Sequence, residues 1–128
     1  MNKTKRIAAY FLIASIVVGM SASAQESSLK QMQSALVLLK KARITNAVQA
    51  KNDNLKKAKE QLLMAKYNKG GYRAAATTLT MQAMARVGEF QIDKANQLID
   101  KAIVKVNHAV QAIKQEASAM KKSASSKK

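Results

Sequence analysis

The sequence predicts an all-α protein, an up-and-down bundle of helices. Three observations indicate this class: the chain contains no proline, Ala, Lys, Gln, Leu and Met dominate its composition, and its apolar residues recur at spacings of three and four. Unbranched side chains lose little conformational freedom in a helix, and the three-four spacing places apolar residues on one helix face. The chain has no cysteine, so helix packing must hold the fold without disulfides.

The first 24 residues have the order of a secretory signal peptide. Three basic residues lead into an apolar stretch over residues 7–18, and an A-x-A triplet ending at Ala24 supplies a cleavage site. A membrane helix needs about 20 apolar residues, more than this stretch offers. We therefore expect a bacterial protein that is cleaved after Ala24, acts in the periplasm or outside the cell, and keeps no stable membrane span.

Two helices are expected in the first half of the mature chain. Ser28 and Gln31 form a capping box that starts the first helix. The Asn-Asp-Asn sequence over residues 52–54 predicts a break, after which Asp53 caps the second helix. The apolar positions of these two helices are Leu29, Met32, Leu36 and Leu39, then Leu55, Ala58, Leu62 and Ala65.

Two further helices follow. Gly70 and Gly71 are expected to end the second helix, and Gly88 the third, whose inner face is mostly Ala and Thr. The last helix has the clearest stripe, formed by Ile92, Ala95, Ile99, Ala102, Val106, Ala109, Ile113 and Met120. Glu116 interrupts it, so we expect fraying there. Residues 25–117 are then the bundle domain, and residues 118–128 a disordered basic tail.

Short loops force neighbouring helices to run antiparallel, which predicts four helices in an up-and-down arrangement. If the break near Asn52 is only a kink, the first two helices are continuous and three remain. The sequence leaves both counts open, and it leaves the oligomeric state open as well.

Charge is the main functional signal. Three of the 23 Lys and Arg residues lie in the leader and all seven acidic residues follow it, so the mature chain carries +13, against +16 for the whole. A compact domain with this charge repels itself, which favours an anionic partner: lipopolysaccharide, nucleic acid, acidic polysaccharide or an acidic protein surface. Lysines that only keep the bundle soluble are the alternative. The candidate anion-binding residues are Lys66, Lys69, Arg73, Lys101, Lys105, Lys121, Lys122, Lys127 and Lys128.

Tyr67 and Tyr72 flank the glycine pair, next to several of these cations. Aromatic rings beside cations can stack on sugars or bases while the cations contact phosphates. The alternative is that both tyrosines close the end of the bundle.

Candidate metal ligands are scattered. Met81 and Met84 share one helix face, and thioethers bind Cu(I), although helical methionines also fill cores. Glu89 and Asp93 lie four residues apart, but carboxylates near a helix start also stabilise its dipole. His108 lies on the expected solvent face. These candidate ligands do not require a cofactor, so none is expected. A bound divalent metal is the alternative.

The sequence does not predict an enzyme. His108 is the only histidine, and no nucleophile, base and orienting group can be assembled around it. The chain also lacks a G-x-S-x-G elbow, a phosphate-binding glycine loop and an H-E-x-x-H motif.

One stretch resembles a known family. Residues 55–87 contain Leu-Lys-Lys-Ala, the turn Ala-Lys-Tyr-Asn-Lys-Gly-Gly-Tyr, then Ala-Thr and Gln-Ala-Met. These are similar to a hairpin of the small metal-binding proteins, periplasmic Ala-rich four-helix bundles. The resemblance implies this fold, this compartment and metal sequestration. That family binds metals through many histidines, where this chain has Tyr67, Tyr72 and Arg86.

Three functions are therefore expected, in this order. The first is a non-catalytic cationic module that binds anionic polymers or envelope surfaces. The second is a periplasmic metal-binding protein, as the resemblance implies. The third is a basic periplasmic chaperone or interaction protein.

Overall fold

The computed structural model describes residues 22–67 and 69–126, which form four helices and no strand. These are α1 (Ala22–Ile44), α2 (Val48–Met64), α3 (Tyr72–Gly88) and α4 (Ile92–Ser126), with a short turn of 3-10 type over Lys69–Gly71. The all-α prediction is confirmed, and so is the count of four helices rather than three.

The helices form a closed ring. α1 packs against α2 and α4, and α3 packs against the other sides of the same two helices, while diagonally opposite helices hardly touch. Consecutive helices are antiparallel neighbours, as short connections require. We call the end with residues 65–71 the turn end, and the end with residues 45–47 and 89–91 the loop end.

The core is narrow because many of its side chains are small. Nine alanines are fully or almost fully buried, which lets the helix backbones approach closely: Ala35, Ala42, Ala58, Ala65, Ala76, Ala83, Ala95, Ala102 and Ala109. Thr80 is also buried, and its hydroxyl donates to the Ala76 carbonyl at 2.8 Å within the same helix. The Ala/Thr inner face predicted for the third helix is confirmed.

The predicted stripe of the last helix is confirmed between Ala95 and Ile113, where all six of its members are buried. The predicted end at residue 117 is wrong. α4 continues to Ser126, so the backbone of residues 118–126 is helical rather than disordered. Glu116 does not mark fraying either, because it is half-buried and accepts a hydrogen bond from the Tyr67 hydroxyl.

Both predicted helix starts in the first half are wrong. Ser28 lies inside α1, not at its start, and its buried hydroxyl accepts a hydrogen bond from the Tyr67 backbone N–H at 3.2 Å. Asp53 lies inside α2, which begins at Val48 after an N-cap residue, Ala47, without a side-chain cap. Burial of Leu55 across the bundle outweighs the weak helix propensity of the Asn-Asp-Asn segment.

Gly88 ends α3 as predicted, but the prediction that Gly70 and Gly71 end the second helix is wrong: α2 ends at Met64, and Gly71 is the N-cap of α3. The expected left-handed backbone of the two glycines is present in the turn before α3. Gly70 and Gly71 have φ of 79° and 73°, and α3 ends at Gly88. Phe90 was not anticipated: it has φ of 61° and a side chain that is 77% exposed at the loop end.

The expected leader lies outside the described residues, apart from the backbone of residues 22–24 in the first turn of α1. Across residues 22–67 and 69–126, none of the helices combines the length and the hydropathy that a bilayer span requires.

Candidate functional site

A row of three lysines followed by a histidine lies on α4, along the side that faces α3. Lys94, Lys101 and Lys105 are separated by seven and four residues, and His108 follows three residues later, so all four lie on one side of the helix. The His108 ring meets the Tyr72 ring of α3 edge to face, with centroids 5.3 Å apart, which fixes the direction of this side. At 1.5 Å per residue, the row is about 21 Å long.

The row is open to solvent. Lys94, Lys101 and His108 are exposed, and Lys105 is half-buried. We call these three lysines and His108 the lysine row. Lys101 and Lys105 were predicted as anion ligands, whereas Lys94 was missed, although its spacing of seven from Lys101 was a usable signal.

Carboxylates lie away from this row or are engaged elsewhere. Asp100 is directed towards α1, where its Oδ1 accepts from Arg43 Nε at 2.9 Å. Glu89 pairs with Arg86 at 3.3 Å, and that guanidinium also donates to the Gln91 side chain. Both of these ion pairs involve arginines and not the lysine row, so the three lysines of the row keep their positive charge towards solvent.

The other predicted anion ligands are not brought together. Lys66 is exposed at the turn end. Arg73 is half-buried, and its Nη1 donates to the Ala65 carbonyl at 2.9 Å just beyond the end of α2, so its guanidinium supports the fold. The remaining predicted ligands lie beyond the described side chains: Lys69, Lys121, Lys122, Lys127 and Lys128.

Tyr67 is buried, with only 3% of its surface exposed, which favours the bundle-closing alternative for this residue. Burial raises the pKa of Tyr67 to about 12, and the hydrogen bond to the Glu116 carboxylate and the negative charge of Glu116 act in the same direction. The phenol is therefore neutral and fixed. Tyr72 is half-buried and remains reachable from solvent.

A shallow cleft of about 420 Å³ opens at the turn end, beyond the last residue of the lysine row. Both tyrosines form part of its wall. The other residues that line it are Gly70, Ala112, Gln115, Glu116 and Ala119. The cleft therefore combines aromatic surface with a carboxylate and an amide, which can accept and donate hydrogen bonds.

The candidate metal ligands do not converge. Met81 is 53% exposed, Met84 packs on the core, Glu89 is paired with Arg86, and His108 lies against Tyr72. Asp93 is exposed in the first turn of α4, the position at which a carboxylate stabilises the helix dipole. Within the described part of the chain, no group of three His, Cys, Asp or Glu side chains is arranged to hold a metal ion.

Lys51 was missed by the sequence reasoning. It is fully buried at the loop end, where its ammonium donates to the Ala42 carbonyl at 2.8 Å and to the Thr45 carbonyl at 3.1 Å. Burial lowers the pKa of Lys51, and the nearby charge of Arg43 lowers it further. One lysine is thus used to close the end of α1, and is not available to an anionic ligand.

Comparison of the chain with protein-family models, curated proteins and solved structures gave no match. Its function must be inferred from its own charges and contacts.

Proposed function

We propose that this protein is an exported, non-catalytic bundle that binds anionic polymers along the lysine row of α4. The observation that carries the proposal is the placement of Lys94, Lys101 and Lys105 on one exposed side of α4, while Asp100 is turned towards Arg43. Positive charge is thereby collected along one side of α4.

An extended anion suits this geometry better than a small one. The three lysines are spread along about 16 Å of helix, so no single phosphate or carboxylate can reach all of them. A polymer with repeated negative charges can contact each lysine in turn and release its condensed counterions. The exposed ammonium groups need little desolvation, so the affinity depends on the number of contacts and on salt.

The test removes the row and compares it with an equal loss of charge elsewhere. One variant of the mature chain, from residue 25 onwards, carries Lys94→Gln, Lys101→Gln and Lys105→Gln. Its control carries Lys30→Gln, Lys40→Gln and Lys56→Gln, three exposed positions on α1 and α2. Both variants have the same net charge, so non-specific attraction is reduced equally.

Binding to a heparin-derived oligosaccharide and to inorganic polyphosphate is measured by calorimetry at several salt concentrations. At about 0.5–1 kcal/mol per exposed charge contact, the row variant should bind about 10- to 100-fold more weakly than wild type. Its plot of log affinity against log salt should be shallower by about 0.7–0.9 for each lysine that no longer meets a negative charge of the polymer. Equal weakening in the two variants would refute the lysine row as the binding site. If wild type binds neither polymer, the proposed function is refuted.

A further inference from the structure

The cleft at the turn end lies in line with the lysine row. His108 is the last member of the row, and its ring touches Tyr72, which lines the cleft. Gln115 is seven residues beyond His108, on the same side of α4. A polymer chain that follows the row towards the turn end therefore reaches the cleft. The distance along the helix from Lys94 to Gln115 is about 32 Å.

The chemistry of the cleft differs from that of the row. Its walls are two tyrosines, two alanines and a glycine, together with the side chains of Gln115 and Glu116. An aromatic ring provides apolar surface for the C–H face of a sugar, and an amide and a carboxylate bond to sugar hydroxyls. None of the described residues that line the cleft is basic, so they offer a phosphate group no positive partner.

The shape of the cleft depends on Gly70. A Cβ atom at Gly70 would lie 2.9 Å from Tyr72 Cε2, so the ring occupies the space that any other residue would need. The hydrogen bond from Tyr67 positions Glu116, which also lines the cleft. Contacts within the fold therefore hold both Tyr72 and Glu116 in place.

We infer that the cleft binds a sugar unit, and that the ligand of the lysine row is an acidic polysaccharide. The inference rests on the proposed function, since the row supplies the contacts to the charged groups of the polymer. The cleft adds selection for a polymer that presents hydroxyl groups between its charges.

Tyrosine fluorescence reports on this cleft directly. The chain has no tryptophan and three tyrosines, of which Tyr10 lies in the leader, so the mature chain emits only from Tyr67 and Tyr72. Both line the cleft. Binding of the heparin-derived oligosaccharide should change this emission, whereas polyphosphate, which has no sugar, should leave it nearly unchanged.

The variants are Tyr72→Ala and Gln115→Ala, with Gln111→Ala as control. Gln115 and Gln111 are both exposed on α4, but only Gln115 lines the cleft. Tyr72→Ala should weaken oligosaccharide binding about tenfold, on the scale of one aromatic contact, and leave polyphosphate binding within about twofold. Gln115→Ala should act in the same direction and should not disturb the fold, because the side chain is exposed.

The results separate this inference from the function beneath it. If wild type binds both polymers, and the cleft variants weaken binding of both equally or of neither, the cleft is not a sugar subsite. The lysine row is then decided by its own variants and their control. If wild type binds neither polymer, the proposed function and the inference fail together.

Discussion

Replacing Lys51 by methionine tests how α1 ends. The Lys51 ammonium donates to two main-chain carbonyls at the end of α1. One is that of Ala42, which also accepts from the Thr45 N–H, and the other is that of Thr45, just beyond the last helical residue. Methionine keeps most of the aliphatic volume and removes the donor, so the change isolates the hydrogen bonds from the packing.

The magnitude follows from the carbonyls left behind. Ala42 O retains a bond from the Thr45 N–H at 3.3 Å, whereas Thr45 O loses the bond that the structure gives it. Leaving buried or half-buried acceptors unsatisfied costs about 1–3 kcal/mol. The cost of burying a charge is removed at the same time, so we expect a net loss of about 2 kcal/mol and a fall in Tm of roughly 8–16 °C.

The assay is thermal and urea unfolding of the chain from residue 25 onwards, followed by circular dichroism. Lys56→Met is the matched control, because Lys56 is exposed on the same helix and its replacement should change stability by less than about 0.5 kcal/mol. Equal stability of the Lys51 and Lys56 variants would show that the ammonium does not hold the end of α1, and would refute the reasoning.

The pH dependence gives a second readout of Lys51. Because its pKa is lowered in the folded protein, the unfolded chain binds more protons in the interval below the ordinary value of 10.5. The stability of wild type relative to Lys51→Met should therefore increase as the pH rises towards 10.5. A difference that shrinks over this interval would contradict the burial of the ammonium.

Two further predictions concern the turn end. The pKa of Tyr67 is raised to about 12, so the folded form binds more protons than the unfolded chain between about pH 10 and 12. The free energy of unfolding should therefore fall by about 2–3 kcal/mol through that interval. Tyr67→Phe should lack this loss in alkaline unfolding titrations, and a profile identical to that of wild type would exclude the raised pKa. Gly70→Ala should destabilise the fold by about 1–2 kcal/mol or more in urea unfolding, because of its φ of 79° and the contact with Tyr72. Gly88→Ala is its control: a Cβ there meets nothing within 4 Å, so it should be neutral or stabilising.

Much of the bundle could be predicted from local pattern. The stripe from Ala95 to Ile113, the end of α3 at Gly88 and the left-handed backbone of Gly70 and Gly71 were predicted correctly, because helical periodicity and glycine backbone preferences are properties of short segments. The capping residues, by contrast, predicted the wrong helix starts, because a cap competes with the burial of apolar side chains in the bundle. Ser28 and Asp53 have side chains suited to capping, yet both lie inside helices, since packing of the apolar face outweighs a single cap.

The candidate site also contains residues that could be predicted from the sequence and residues that could not. Lys101 and Lys105 could be predicted as cations outside the core, because they lie away from the stripe of their own helix. Lys51 and Arg73 carry the same charge in the sequence but are used to satisfy carbonyl groups at helix ends. In the sequence, Glu116 interrupts the apolar stripe of the last helix. In the structure it accepts a hydrogen bond from Tyr67, which is far away in the chain.

By itself, the sequence determined that the chain folds into amphipathic helices with glycine turns and an excess of positive charge. Only the tertiary structure decided which cations face solvent, which of them close helix ends, and that the Tyr67–Glu116 pair and Tyr72 form a cleft next to the row. The physical reason is that helix periodicity acts over a few residues, whereas burial and charge pairing depend on groups that meet only when the bundle is assembled.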